Sequence, residues 1–318
     1  MMATLLSPMV LFFGLGALAA FARSDLTIPE AAGKAMAIYL MVAIGLKGGV
    51  AVAAEGFTTE LAIAAALGLA LSVVLPLPVF WLVRRAGRQS TIDAAAIAAH
   101  YGSVSVVTFV AGIEILKLAG LPASGYMIAV LALMETPAIV VGLLLAWRAT
   151  KAGGIAAGRI VHETLFNGSV VLLVGSFLIG LAVGKEGYAQ IAPVFEAGFR
   201  GVLCLFLLDM GLIAARRLRE TRSLTLPLAG LAIAIPIMNG LLGVALGAAS
   251  GLGVANAAAL GSLAASASYI AVPAAMRMAL PEANAGTSLA MSLGVTFPFN
   301  VTLGIPLYIW FARSIAGS

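Results

Sequence analysis

Charge is what this chain has least of. Only 10% of its 318 residues are Asp, Glu, Lys or Arg, against 62% apolar, whereas a soluble domain carries roughly 25% charged and about 45–50% apolar residues. So little polarity cannot cover a water-facing body. A soluble enzyme, a nucleic-acid binder and a disordered chain are excluded. Histidine occurs twice and cysteine once, as Cys204 in an apolar run, so neither an intramolecular disulfide nor a thiolate metal cluster is open to it. No glycine-rich phosphate loop, hydrolase elbow, nucleophile–base pair or His/Cys/Asp/Glu group at metal spacing occurs, and no enzyme is expected.

What is present is long apolar runs. A bilayer core takes about 20 apolar residues per helix, and ten runs nearly free of charge qualify, at 5–22, 29–46, 61–83, 91–117, 125–147, 163–184, 194–214, 225–249, 255–279 and 286–312. The first ends in Ala20-Phe21-Ala22, which imitates a signal-peptide cleavage site, but no Lys or Arg precedes it. It is read as a membrane helix.

The net charge of +5 is unevenly placed. The odd-numbered connections hold Arg23, Lys34, Arg84, Arg85, Arg88, Arg148, Lys151, Arg159, Arg216, Arg217, Arg219, Arg222 and Arg277; the other side holds Lys47, Lys117, Lys185, Arg200 and Arg313. The positive-inside rule puts the odd connections in the cytoplasm and both termini outside it. An inner (plasma) membrane location is expected.

The two halves repeat at an offset near 163 residues. Residues 94–105 align with 257–268, Pro122 falls near Pro281, Pro137 near Pro298 and Gly142 near Gly304. Five helices per half is an odd number, so residues 1–150 and 151–318 are expected to cross in opposite senses. Inverted repeats of this kind mark secondary transporters.

Both halves are interrupted at matching places, Gly102-Ser103-Val104-Ser105 and Ser266-Ala267-Ser268-Tyr269. Glycine is permissive and a serine hydroxyl accepts from free N–H groups of a following turn. Half-helices beginning near Ser103 and Ser266 are expected to converge and hold a small anion on backbone N–H groups and hydroxyls. The competing reading of these small residues is close helix packing.

Glu135 is ionisable inside the fifth run, and an unpaired charge there costs at least ~2.5 kcal/mol. It can ligate Na⁺ or exchange a proton. Its counterpart is Thr296, followed by Asn300, and the ion-coupling set is Glu135, Thr136, Thr108, Thr296 and Asn300. Asp209 is read as either a packing hydrogen-bonder or a pathway residue, and His100 as a relay or an interior hydrogen-bonder. His162 and Glu163 are expected to cap a helix.

Ile28-Pro-Glu, Ile44-Gly-Leu-Lys-Gly-Gly49, the two serine breaks, Glu135-Thr-Pro-Ala138, Pro273, Pro281-Glu-Ala-Asn284 and Gly304-Ile-Pro306 together resemble the sodium-dependent bicarbonate transporters of the SbtA type, from about residue 28 to 312. The resemblance implies an all-α homotrimer of inverted five-helix repeats. It also implies an elevator-like movement of a core carrying broken helices 4 and 9, against a scaffold of helices 1, 2, 6 and 7. It places bicarbonate or Na⁺ at Ser103, Ser105, Ser266 and Ser268, with Glu135 in the position of an acidic family residue. Sodium is the implied coupling ion at Ser103, Ser105, Glu135 and Ser268, with no other cofactor. Two departures stand out. Tyr269 occupies a position where cyanobacterial members tend to carry Asp, which bears on one sodium site. The connection 148–162 is much shorter than theirs, which bears on docking of a PII-like regulatory protein, although Arg148, Lys151 and Arg159 leave it basic. The residues alone reach an ion-coupled carrier of a small anion; a carrier of a small organic anion and an anion channel are the alternatives.

Overall fold

The helices begin where short side chains can cap them. Ser7 accepts from the N–H of Val10 ahead of Pro8, Thr58 from Leu61 and Ser90 from Asp93, each satisfying one of the N–H groups a helix start leaves open. In this computed structural model, which describes residues 7–150, 168–220 and 224–316, every regular element among the described residues is helical. In order they are α1 (Pro8–Phe21), α2 (Glu30–Glu55), α3 (Thr59–Val74), α4 (Pro76–Arg85), α5 (Thr91–Gly102), α6 (Val106–Leu118), α7 (Met127–Met134), α8 (Pro137–Thr150), α9 (Gly168–Ala189), α10 (Phe199–Glu220), α11 (Leu226–Ala249), α12 (Gly253–Ala264), α13 (Ala271–Ala279) and the helical run α14 (Ala285–Ile315). Lys151, Arg159, His162, Glu163 and Arg222, with the side chains of Arg148 and Arg277, lie outside the described residues.

Among the described residues seven stretches are long and apolar enough to cross a bilayer: α2, α3 with α4, α5 with α6, α7 with α8, α9, α11 and α14. The other three expected runs are also helical, but differ for physical reasons. α1 and α12 are short at 14 and 12 residues, and α10 carries Arg200, Asp209, Arg216, Arg217 and Arg219. Leu18, Leu178 and Trp310 turn outward with more than half their surface exposed. Apolar residues exposed on apolar helices mark a multi-pass membrane protein, since lipid covers them.

Two helix groups are evident. α9 lies along α2 and α10 along α1, in contact close enough that a Cβ on Gly49 would strike the Phe177 carbonyl and one on Gly211 the Phe13 carbonyl. In the second group α5 packs on α4 and α8, while α12 packs on α11, α6 and the end of α14. Every residue from Ala94 to Gly102 and from Ala257 to Ala264 is buried. Alanine and glycine let these helices sit at the centre with neighbours on all sides.

Prolines shape this second group. Pro76 divides the third expected run into α3 and α4, and Pro137 divides the fifth at Glu135 and Thr136. Pro236 within α11 cannot donate to Ala232, whose carbonyl instead accepts from the Thr296 hydroxyl at 2.6 Å. α14 passes through two π-helical stretches, Ala290–Thr296 and Asn300–Gly304, on either side of Pro298.

Candidate functional site

The first break is three residues of extended chain. Ser103 (ψ 171°) ends α5 as its C-cap, and Ser105 (φ −110°, ψ 114°) starts α6 as its N-cap, its Oγ accepting from the N–H of Thr108 at 3.2 Å. The second break, 265–270, separates α12 from α13, and there the Ser268 Oγ accepts from the N–H of Val272 at 3.4 Å. The half-helices therefore begin at Val106 and Ala271 and not near Ser103 and Ser266, because those two serines have other partners. Ser103 donates to the Glu135 carbonyl at 2.8 Å, and Ser266 donates to the Leu263 carbonyl at 2.7 Å.

The breaks are joined directly. The Ser105 N–H donates to the Ser266 Oγ at 2.9 Å, and the Ser268 N–H donates to the His100 carbonyl at 2.8 Å. The His100 Nδ1 lies 2.5 Å from the Ser268 carbonyl oxygen, a geometry that requires the proton on Nδ1. His100 thus acts as an interior hydrogen-bonder that ties the crossing together.

Around this crossing lies a small cavity, with space for about one water molecule, lined by Met41, Val104, Ser105, Val106, Glu135, Ser268, Tyr269 and Ile270. Glu135 is only 2% exposed, and its Oε2 has no hydrogen-bond partner. Its position comes from Pro137, which interrupts the helix and frees carbonyls; Met134 and Glu135 give theirs to the hydroxyls of Ser72 (2.9 Å) and Ser103 (2.8 Å). Tyr269 lines the cavity with Ser105, its buried hydroxyl without a hydrogen-bond partner, and packs its ring edge-on to Phe297, with centroids 5.6 Å apart. A hydroxyl that accepts from a helix N–H still carries a proton to donate. Ser105 and Ser268 can therefore act on an anion by their O–H groups or on a cation by their oxygen lone pairs.

The expected site residues divide into two sets. Val104, Ser105, Glu135, Ser268 and Tyr269 share the cavity, with Thr108 in the capped first turn of α6. Gly102, Ser103, Ser266 and Ala267 hold up its walls without lining it, and Thr136, half-buried, gives its carbonyl to Ile139. Gly102 is required by packing, since a Cβ there would press on the Pro76 ring and on Ala138.

Thr296 and Asn300 do not line the cavity. Thr296 Oγ1 bridges the Ala232 carbonyl and the Tyr101 hydroxyl, each at 2.6 Å. Asn300 donates to the Ala265 carbonyl at 2.8 Å and accepts from Tyr308 at 3.1 Å, so it braces the second break from behind. Asp209 stands against Gly33 of α2, inside the first helix group, and does not line the cavity.

Sequence reasoning missed Asn239, which is fully buried on α11, reaches the Tyr101 carbonyl at 3.5 Å and leaves its Oδ1 without a partner. A lone amide in an uncharged run was the available signal, three residues after a helix-interior proline. Met41 was missed because nothing separates it by type from other apolar residues of α2. Among the described residues no three His, Cys, Asp or Glu side chains cluster as metal ligands, so a cation here would rest on one carboxylate, hydroxyls and carbonyls, the oxygen set a hard ion takes.

Residues 8–313 match the family described as the Na⁺-dependent bicarbonate transporter superfamily. Comparison with curated proteins returned no match.

Proposed function

The chain belongs to the Na⁺-dependent bicarbonate transporter superfamily, and from that premise we propose that it imports a small monovalent anion, bicarbonate, together with Na⁺. The observation that carries this reading is the buried, unpartnered Oε2 of Glu135 in one cavity with the capping hydroxyls of Ser105 and Ser268. A carboxylate oxygen left bare in a membrane interior needs a cation or a proton to stay there.

In this reading Na⁺ sits between the Glu135 carboxylate and the oxygens of Ser105 and Ser268. The anion takes the O–H groups of the same serines and the first-turn N–H groups of α6 and α13, whose dipoles favour negative charge. Sodium binds first, because ionised Glu135 repels an anion until a cation neutralises it. The cavity as it stands has room for about one water, so loading opens it. Tyr269 in the wall is the feature that favours a second reading, a small carboxylate reaching its hydroxyl.

Transport then moves the group around α5, α6, α12 and α13 against the group of α1, α2, α9 and α10. The support is their separate packing and the apolar character of what lies between, such as Phe13 edge-on to Phe297 at 5.3 Å. Ten crossings in two inverted five-helix repeats, at 1–150 and 151–318, assembled as a trimer in the inner membrane with both termini outside, complete the proposal. The serine breaks, alike in sequence and joined in space, are its support. The test is uptake of labelled bicarbonate into proteoliposomes with and without an inward Na⁺ gradient. Uptake that follows the gradient supports the reading, and gradient-independent or absent uptake by folded protein overturns it.

A further inference from the structure

Lys47 sits in the apolar helix α2, eight residues before its end at Glu55, about 12 Å along the axis. Among the described residues no carboxylate reaches ion-pairing distance of its ammonium. The carboxylate that shares its cavity, Glu114 of α6, is instead held by Arg200 of α10, Nε to Oε2 at 2.9 Å. Arg200 approaches from the exposed side, with 60% of its side chain accessible against 12% for Glu114. Lys47 is left facing the Phe199 ring, Nζ 4.9 Å from the centroid. A ring face is a weaker partner than a charge, worth about 0.5–2 kcal/mol, and it does not use up the ammonium's N–H donors.

The pocket around Lys47 is walled by Ile44, Phe109, Val110 and Ile128. It is also the first of three cavities strung along one seam. Val110 lines both this cavity and a middle one; Met41, Val106 and Ile270 line both the middle one and the Ser105–Ser268 cavity. On α2 the lining residues Ala37, Leu40, Met41, Ile44 and Lys47 recur at spacings of three and four, which is one helix face. The matching face of α6 runs from Ser105 to Glu114 at the far end.

We propose that Lys47, Phe199 and the Arg200–Glu114 pair form a second binding site, for a small monovalent anion, at the mouth of a seam between α2 and α6 that leads to the serine crossing. Arg200 has the part of occupying Glu114, so that this wall carboxylate does not pair with Lys47. The apolar walls and the Lys47 ammonium select small size and single charge. The site's existence rests on this geometry; its role as the anion's first station rests on the carrier reading above.

The test pairs a structural probe with transport. Crystals of the whole protein soaked in sodium bromide are examined by anomalous diffraction, and bicarbonate uptake is measured for wild type, Lys47→Met and Lys47→Arg, each checked for an unchanged melting temperature. A bromide peak beside the Lys47 ammonium is expected in wild type and Lys47→Arg and not in Lys47→Met, whose KM rises about tenfold with a near-normal maximal rate, the size of effect a single partly exposed charge exerts. No bromide at Lys47, or a bromide peak with an unchanged KM in Lys47→Met, which would mean an adventitious ion only, overturns the proposal. Bromide at Lys47 in a wild-type protein that moves no bicarbonate keeps the site and removes the substrate reading instead.

Discussion

Replacing Glu135 by Gln removes the charge around which the proposed coupling is built and keeps the shape. The carboxylate is 2% exposed, and its Oε2 is unpartnered, so the neutral amide breaks no Oε2 hydrogen bond and removes a charge that is costly to bury. An anion bound at the serine hydroxyls would sit ~5 Å from that carboxylate, where two like charges at an effective dielectric of ~20 repel by about 3 kcal/mol. Sodium cancels that repulsion, so it should raise anion affinity by roughly two orders of magnitude in the native protein. In Glu135→Gln the sodium effect on bicarbonate affinity should fall to within about threefold, because anion binding without sodium improves while sodium loses its main ligand. Equilibrium binding of labelled bicarbonate to purified protein, in sodium and in choline medium, reads both values. A sodium effect of undiminished size in folded Glu135→Gln would refute the placement of the coupling ion at this carboxylate.

Other substitutions separate the cavity from its supports. Ser105→Ala and Ser268→Ala each remove a helix-start acceptor, about 1 kcal/mol, and a residue lining the cavity; bicarbonate uptake at low concentration should fall by at least tenfold, with melting lowered only slightly. Thr296→Val leaves the Ala232 carbonyl and the Tyr101 hydroxyl without their shared partner, so the melting temperature should drop by an amount matching about 2 kcal/mol while the sodium dependence of uptake stays native. Tyr269→Asp adds a carboxylate to the cavity and should steepen the sodium dependence of uptake; an unchanged sodium response would place Tyr269 outside the ion path. Gly49→Val drives a side chain into the Phe177 backbone and should abolish folded protein on size-exclusion chromatography.

How legible all this was depends on the kind of residue concerned. Glu135 and the two serine breaks could be read from the sequence because a charge in an apolar run and a Gly/Ser interruption of a helix are rare and costly. Which serine caps which helix could not be read, since that choice depends on partners distant in sequence: Ser103 is taken by the Glu135 carbonyl and Ser266 by Ser105. Thr296 and Asn300 were placed with the ions by their correspondence to the Glu135 region. In the fold their hydrogen bonds serve the carbonyl freed by Pro236 and the end of α12. The lengths of the runs were readable to within a turn or so for α5, α6 and α11, and less so for α2, which continues through Lys47 and two glycines to Glu55. Lys47 looked like a loop charge; only the seam between α2 and α6 shows it to be set within a helix.

In the proposed mechanism sodium and the anion are carried together, and coupling between them is reciprocal. The most direct test is therefore the reverse experiment, in which a bicarbonate gradient is imposed on proteoliposomes with equal sodium on both sides and the membrane voltage clamped, and movement of radioactive sodium is followed. Sodium is expected to move inward with an inward bicarbonate gradient, against no gradient of its own, and Glu135→Gln to lose this movement. Bicarbonate entry with no accompanying sodium would contradict it.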